Sequence, residues 1–315
     1  MDWEPIIPFE PVESDTIPQG DQWIAQVKWD GVRICTYWDG NEVKLFNRRR
    51  NERTYHYPEL LKIEQYINAK SAILDGEVIA LKNGKPSFYE VMKRDGIRDL
   101  RKVPFIQQQV PVTYMIFDIL YLNHAWVVSF PLADRLKMLQ EIYRPGNSVQ
   151  LVTGFEDGNA LFEAVQKHDL EGIVLKDLSS SYLIHGKDRR WIKKKNYHDL
   201  IAVVGGVTFR HSIVNSLLLG LFDEKNRLWY IGHAGTGKLT QDDWQNITRM
   251  IRPLFQDEMP FANKPSRSKD AIWVKPLITV KIKYTEWIEG HTLRQPSIQA
   301  FVKIPPHQCR LNRKT

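Results

Sequence analysis

The chain has 315 residues, 43% hydrophobic and 26% charged, which is ordinary for a soluble globular protein, excludes intrinsic disorder, and at this length favours two domains over one core. A net charge of +7 favours a polyanionic partner, nucleic acid or an anionic membrane surface. No apolar run approaches the roughly 18 residues that span a bilayer, and two cysteines, Cys35 and Cys309, build neither a disulfide framework nor a zinc site, so a metal must sit on oxygen ligands, as magnesium or manganese does.

The opening MDWEPIIPFEPVE is acidic and broken by prolines, so it reads as neither a secretory signal nor a transit peptide, and a cytoplasmic location is expected. Residues 23–31 predict a strand running into the loop KWDGVR, and residues 33–48 a hairpin turning at Asp39 and Gly40. Further strands are predicted over 72–81 and 112–122, the second apolar enough to be buried. Amphipathic helices are predicted from Pro131 (PLADRLKMLQEIY) and over 159–168, and EGIVLKD returns to strand. The basic run KDRRWIKKKNYHD leads to a boundary near Asp199. Beyond it, SLLLGLFD and RLWYIGHAG read as strands joined by a polar turn at residues 224–226. Thr240 with Asp243 predicts a capping box for a helix carrying Trp244, Ile247, Ile251 and Leu254. Residues 279–287 alternate as a half-buried strand does, and short strands around one helix suit a small barrel.

KWDGVR, residues 28–33, gathers a lysine, an acid, a glycine and an arginine in one loop. A lysine that attacks the α-phosphorus of a nucleotide must present a free amine, yet an ordinary lysine is neutral only about one time in 2500 at pH 7. Burial and nearby cations lower its pKa, and Val27, Trp29 and the basic residues elsewhere supply both kinds of neighbour. Asp30 can orient the amine or help hold a metal, Gly31 lets the backbone approach phosphates, and Arg33 can give a phosphate or ribose two parallel hydrogen bonds. The competing reading is an exposed charged turn.

Later residues supply other needs of the same reaction. Arg48 in FNRRRN can hold a terminal phosphate, and Glu77, after Asp75 and Gly76, can bind ribose or metal-bound water. Phe117 offers a ring for base stacking, and Glu171 is a second carboxylate suited to a divalent cation. Lys176 ends the same strand, while Lys193 and Lys195 share one face if extended, where paired cations stabilise charge at phosphorus and depress a neighbouring amine. Taken singly, these are a basic turn, a surface glutamate, a core phenylalanine and a solvated edge.

In order, KWDGVR, FNRRRN, LDGEVIAL, IFDILYL, EGIVLK and WIKKK resemble the motifs of the covalent nucleotidyltransferase superfamily, specifically the small ATP-dependent DNA ligases of bacteria and phages. YIGHAGTG, WVKPLITVKIKYTEW and TLRQPS resemble the OB-fold part of those ligases. The resemblance implies an α+β fold: an ATP-grasp-like nucleotidyltransferase (adenylation) domain of antiparallel sheets with helices over residues 1–198, then an OB-fold β-barrel over 199–315. It implies Lys28 as the adenylated nucleophile, with Gln26, Val27, Arg33, Arg48, Glu77, Phe117, Glu171, Lys176, Lys193 and Lys195 around the nucleotide. ATP is the implied cofactor, with magnesium at Glu77 and Glu171 and manganese as a substitute. The implied partner is nicked duplex DNA, bound through phosphates without sequence preference by a monomer, with separate repair proteins as further partners.

Two departures stand out. The position two before the lysine, commonly a glutamate in this family, is Gln26, whose carbonyl accepts the same hydrogen bond but whose amide also donates. After TLRQPS comes SIQAFVKIPPHQC rather than the usual arginine and aspartate-lysine pair, which leaves Arg294 or Lys303 to orient the departing pyrophosphate. The rivals are an RNA ligase, an mRNA capping guanylyltransferase and a catalytically dead nucleic-acid-binding module. An NAD-dependent ligase is disfavoured, because that class carries a cysteine zinc module and a longer chain.

Overall fold

The computed structural model describes residues 4–235, 237–266, 268–288 and 292–311, so Thr236 of YIGHAGTG and the first three residues of the opening lie outside it. The chain divides into two compact units, residues 1–196 and 197–315.

The first unit holds two sheets. In one, Glu10–Glu13 runs parallel to Lys187–Lys195, which pairs antiparallel with Gly172–Asp177, which pairs antiparallel with Trp23–Val27. In the other, Val43–Asn47, Val32–Trp38, Ala72–Lys82 and Val112–Leu122 lie in that order, all antiparallel, with Val149–Leu151 added parallel to the last. Each sheet thus includes one parallel pair among its antiparallel ones.

KWDGVR is the crossover between these sheets: its lysine follows a strand of the first and its arginine lies in a strand of the second. The crossover is tight, and a Cβ on Gly31 would stand 2.1 Å from the Val78 carbonyl oxygen, so glycine is required there. The hairpin turns where expected, with Asp39 Oδ1 accepting from the amides of Asn41 and Glu42.

Val112–Leu122 is buried along most of its length, and Ile34, Leu74, Tyr114 and Ile116 anchor the core beneath the larger sheet. The helices expected near 131 and 159 are Leu132–Ile142 and Gly158–Lys167, the second capped by Asp157. Of two helices without a sequence expectation, Phe88–Asp95 packs on the strands Ala72–Lys82 and Val32–Trp38, and Val103–Gln109 packs on Phe88–Asp95.

The second unit is a six-stranded sheet in which Leu228–Ala234, Ile213–Phe222, His198–Arg210 and Ile272–Tyr284 are consecutive antiparallel neighbours, with Ser297–Val302 also on the last. Its core gathers Val203, Leu217, Leu219, Ile231, Val280 and Ile298, closed by Ile247 and Ile251 from the helix Gln241–Ile251. That helix starts in the expected capping box, Thr240 and Asp243 each bonding the other's backbone, whereas Leu254 falls in a following 3-10 turn. No helix among the described residues is long and apolar enough to cross a membrane.

Candidate active site

The sheet crossover places Lys28 at the end of Trp23–Val27, its backbone N–H donating to the Gly172 carbonyl at 2.9 Å. Its Nζ donates to Glu171 Oε2 at 2.6 Å. Glu171 opens the adjacent strand, where a Cβ on Gly172 would stand 2.3 Å from the Lys194 carbonyl oxygen, so the lysine–carboxylate contact rests on a close backbone approach.

Lys193 and Lys195 lie on the next strand, paired with Val174 and Gly172. Because successive residues of a strand alternate faces, Lys194 points the other way and lies 4.8 Å over the Phe162 ring. Burial lowers the pKa of Lys195, while Glu171 and Glu13 pull it upward and Lys28 and Lys193 add to the depression. Three lysines and two carboxylates thus share one electrostatic neighbourhood.

The larger sheet contributes the opposite side. Glu77 pairs in register with Arg33, and its carboxyl makes no hydrogen bond or ion pair among the described residues. Burial pushes it up to about 8; Lys28 and Arg33 oppose that shift, and Glu171 and Asp30 reinforce it. Phe117 sits at a β-bulge: Asp75 pairs with Asp118 and Gly76 with Ile116, so Phe117 is the extra residue. A bulge re-aims a side chain, and the Phe117 ring meets Trp191 edge-on at 6.0 Å.

Gln26 is 2% exposed, and its Nε2 donates to the Val152 carbonyl at 3.3 Å. That carbonyl only accepts, which fixes the amide's orientation and turns Oε1 away, buried and without a partner. Val27 pairs with Ile173 and packs against the small core under this sheet. Arg48 follows Val43–Asn47 and is mostly exposed, with Nη1 3.3 Å from Glu10 Oε1.

Arg33 and Lys176 are both held by partners within the protein. Arg33 gives a parallel pair of hydrogen bonds to Asp75, at 2.9 and 2.6 Å. Further bonds go to the Phe9 carbonyl at 2.6 Å and the Tyr182 hydroxyl at 3.3 Å, so of five guanidinium N–H groups one remains uncommitted among the described residues. Lys176 is 2% exposed, donating to the Phe117 carbonyl at 3.1 Å. Its ammonium lies 4.3 Å from the Phe117 ring centre and 4.1 Å from that of Trp191. Burial pushes it down to about 7; Asp118 and Asp75 pull the other way, while Arg33 and Arg135 add to the depression. Lys176 therefore lies buried between the Phe117 and Trp191 rings.

The sequence reading also missed Phe9, Asp75, Tyr182 and Trp191, which pack under the site. Of these, only Asp75 had a signal, as the acid two before Glu77. In the second unit Arg294 is paired with Glu286 at 2.6 Å, whereas Lys303 is exposed and has no ion pair among the described residues. Both cysteines are free and buried.

A divalent cation fits the carboxylate pair in its chemistry. Glu77 lacks a partner and stands near a second acid, Glu171, a situation a double positive charge relieves. Among the described residues no group of three His, Cys, Asp or Glu side chains gathers, so phosphate oxygens and water must complete the shell, as magnesium prefers.

Comparison with known proteins places the chain in a family. Residues 10–195 match the model of the ATP dependent DNA ligase domain, and residues 210–302 that of the ATP dependent DNA ligase C terminal region. The chain is 31% identical over 289 residues to the multifunctional non-homologous end joining DNA repair protein LigD of Mycobacterium tuberculosis, covering 89% of this chain and 36% of that protein. It is 27% identical over 312 residues to a DNA ligase of Methanosphaera stadtmanae, covering 92% of this chain and 54% of that one. The chain thus spans about a third of the mycobacterial relative's length and about half of the archaeal one's. Among solved structures, the ligase domain of M. tuberculosis LigD superposes with a TM-score of 0.54 at 27% identity, covering 99% of this chain and 100% of that one. Lig E DNA ligases, at a TM-score of 0.60 and 17% identity over 93% of this chain and 99% of that one, share the fold. The adenylation domain followed by an OB-fold region is therefore the architecture, and the chain belongs to the ATP-dependent DNA ligase family.

Proposed function

We propose that this chain seals 5′-phosphate/3′-hydroxyl nicks in duplex DNA, using ATP and a covalent lysine–AMP intermediate. The observation that carries the reading is the contact of Lys28 Nζ with Glu171 Oε2 at 2.6 Å, beside the Lys193–Lys195 face.

Lys28 must lose a proton before it attacks, and Glu171 is the group in hydrogen-bond reach to take it. The amine then attacks the α-phosphorus of ATP, the bond from that phosphorus to the bridging oxygen breaks, and pyrophosphate leaves with the electron pair. Lys193 and Lys195 stabilise the charge on the nonbridging oxygens. A 5′-phosphate oxygen of DNA next attacks the same phosphorus and releases Lys28, and the neighbouring 3′-hydroxyl finally displaces AMP. Glu77 and Glu171 would hold a divalent cation, which would neutralise phosphate charge.

Gln26 selects the base in this reading. An adenine amino group donates to the unpartnered Oε1, whereas guanine brings a carbonyl to the same place and sets acceptor against acceptor. Phe117 provides the stacking face and Arg48 holds a terminal phosphate. The protein works as a cytoplasmic monomer on DNA of any sequence, drawn by its excess of positive charge.

The test is a sealing assay on nicked DNA and nicked RNA duplexes with ATP or GTP. Sealing of nicked DNA with ATP is the expected result; exclusive use of GTP, or sealing confined to RNA, overturns the reading. Because the mycobacterial relatives are end-joining proteins by name, gapped and blunt-ended DNA belong in the same assay to separate nick repair from end joining.

A further inference from the structure

The segment ahead of the nucleotide site is tied into it through one hydroxyl. Tyr182 Oη donates to Asp75 Oδ2 at 2.8 Å and accepts from the Phe9 N–H at 2.9 Å and from Arg33 Nη2 at 3.3 Å. A phenolic hydroxyl has one proton and two lone pairs, so this one is saturated. Phe9 is saturated too, its N–H on Tyr182 and its carbonyl on Arg33 Nη1. Its ring, 1% exposed, meets Trp191 at 5.3 Å and Tyr182 at 6.1 Å. Immediately after Phe9, Glu10–Glu13 becomes the strand beside Lys187–Lys195, with Glu13 opposite Lys193.

These contacts over-determine one group, the Arg33 guanidinium. Asp75 holds its Nε and Nη2, Tyr182 holds Asp75 and Nη2, and Phe9 holds Nη1. Only one Nη1 N–H is uncommitted among the described residues. A side chain locked before its ligand arrives loses no rotamer freedom on binding and presents its remaining donor in one place.

We propose that Tyr182 is a positioning residue for nucleotide binding, acting through Asp75 and Phe9 to hold Arg33 in register, and that the segment Ile6–Glu13 is thereby a working part of the site. The proposal rests on the ligase reading, in which Arg33 serves the nucleotide. Tyr182→Phe removes three hydrogen bonds and keeps the ring that packs on Phe9, Trp191 and Arg135.

The experiment measures the rate of self-adenylation against ATP concentration in the full chain, as a cycle of wild type, Tyr182→Phe, Arg33→Ala and the double variant. Tyr182→Phe is expected to raise the KM for ATP roughly tenfold and to change the maximal rate by less than about threefold, because a group used in binding has lost its register. In the Arg33→Ala background the same substitution should change KM by less than about twofold, since the group it positions is gone. An unchanged KM for Tyr182→Phe, or effects that multiply in the double variant, overturns the proposal. Hydrogen exchange at the Phe9 amide gives a second reading: faster exchange in Tyr182→Phe together with an unchanged KM makes the hydroxyl merely structural and also overturns it. Wild-type protein that takes up no AMP from ATP sinks the ligase reading itself, whereas normal uptake with an indifferent Tyr182→Phe sinks this inference alone.

Discussion

Glu77 and Lys176 face the same desolvation problem with opposite signs. Neither side chain has a counter-ion in contact among the described residues, and burial favours the neutral form of each, pushing the carboxyl up to about 8 and the ammonium down to about 7. For Glu77 the folded state binds a proton more tightly than the unfolded chain does. Its penalty is therefore absent below the ordinary carboxylate range, grows as pH rises, and is complete above about 8. Glu77→Gln should accordingly raise the melting temperature of the nucleotide-free protein at pH 9, by roughly 2–4 °C per kcal/mol relieved. The gain should vanish near pH 4. A pair of thermal denaturation series at those two pH values checks it, and an equal shift at both assigns the effect to packing instead. The same variant should lose ligation activity, because the group that burdens the free protein is the one a cation needs.

At the level of elements, strand alternation makes a sharper claim than the basic run itself. Lys193 and Lys195 lie on one face of the strand, the face that the proposed reaction gives to the nucleotide, while Lys194 lies over Phe162 on the other. Lys195→Ala should slow self-adenylation roughly 10²-fold through lost stabilisation of the phosphorus centre, whereas Lys194→Ala should stay within about threefold. Single-turnover labelling with ATP compares them, and equal slowing by both would return the run to a general electrostatic role.

The same strand shows what a sequence can carry. Alternation, the lysine loop, the capping box at Thr240 and the hairpin turn at Asp39 are local, and each was legible because neighbouring residues decide it. The fate of Arg33 was not, because Asp75 lies 42 residues away, and Tyr182 149. The burial of Lys176 likewise depends on Trp191 and Phe117 closing over it from two other strands. The bulge that singles out Phe117 is a mismatch between two strands and leaves no mark in either alone. The two helices at 88–95 and 103–109 were missed because both are short, eight and seven residues, too few turns for a clear apolar period.

For the whole molecule, each unit has its own core, and every group assigned to covalent chemistry lies in residues 1–196: Lys28, Glu77, Glu171, Lys193 and Lys195. In the proposed reaction the first step, transfer of AMP to the protein, draws on these groups and ATP, and DNA enters only at the second. The most direct test of the account is to incubate the full chain with ATP and magnesium in the absence of DNA and to locate any adduct by peptide mass spectrometry. One AMP per chain, on the peptide containing Lys28 and lost in Lys28→Ala, is the predicted result. Protein that gains no AMP, or that carries it on another lysine while Lys28→Ala still labels, would contradict the account.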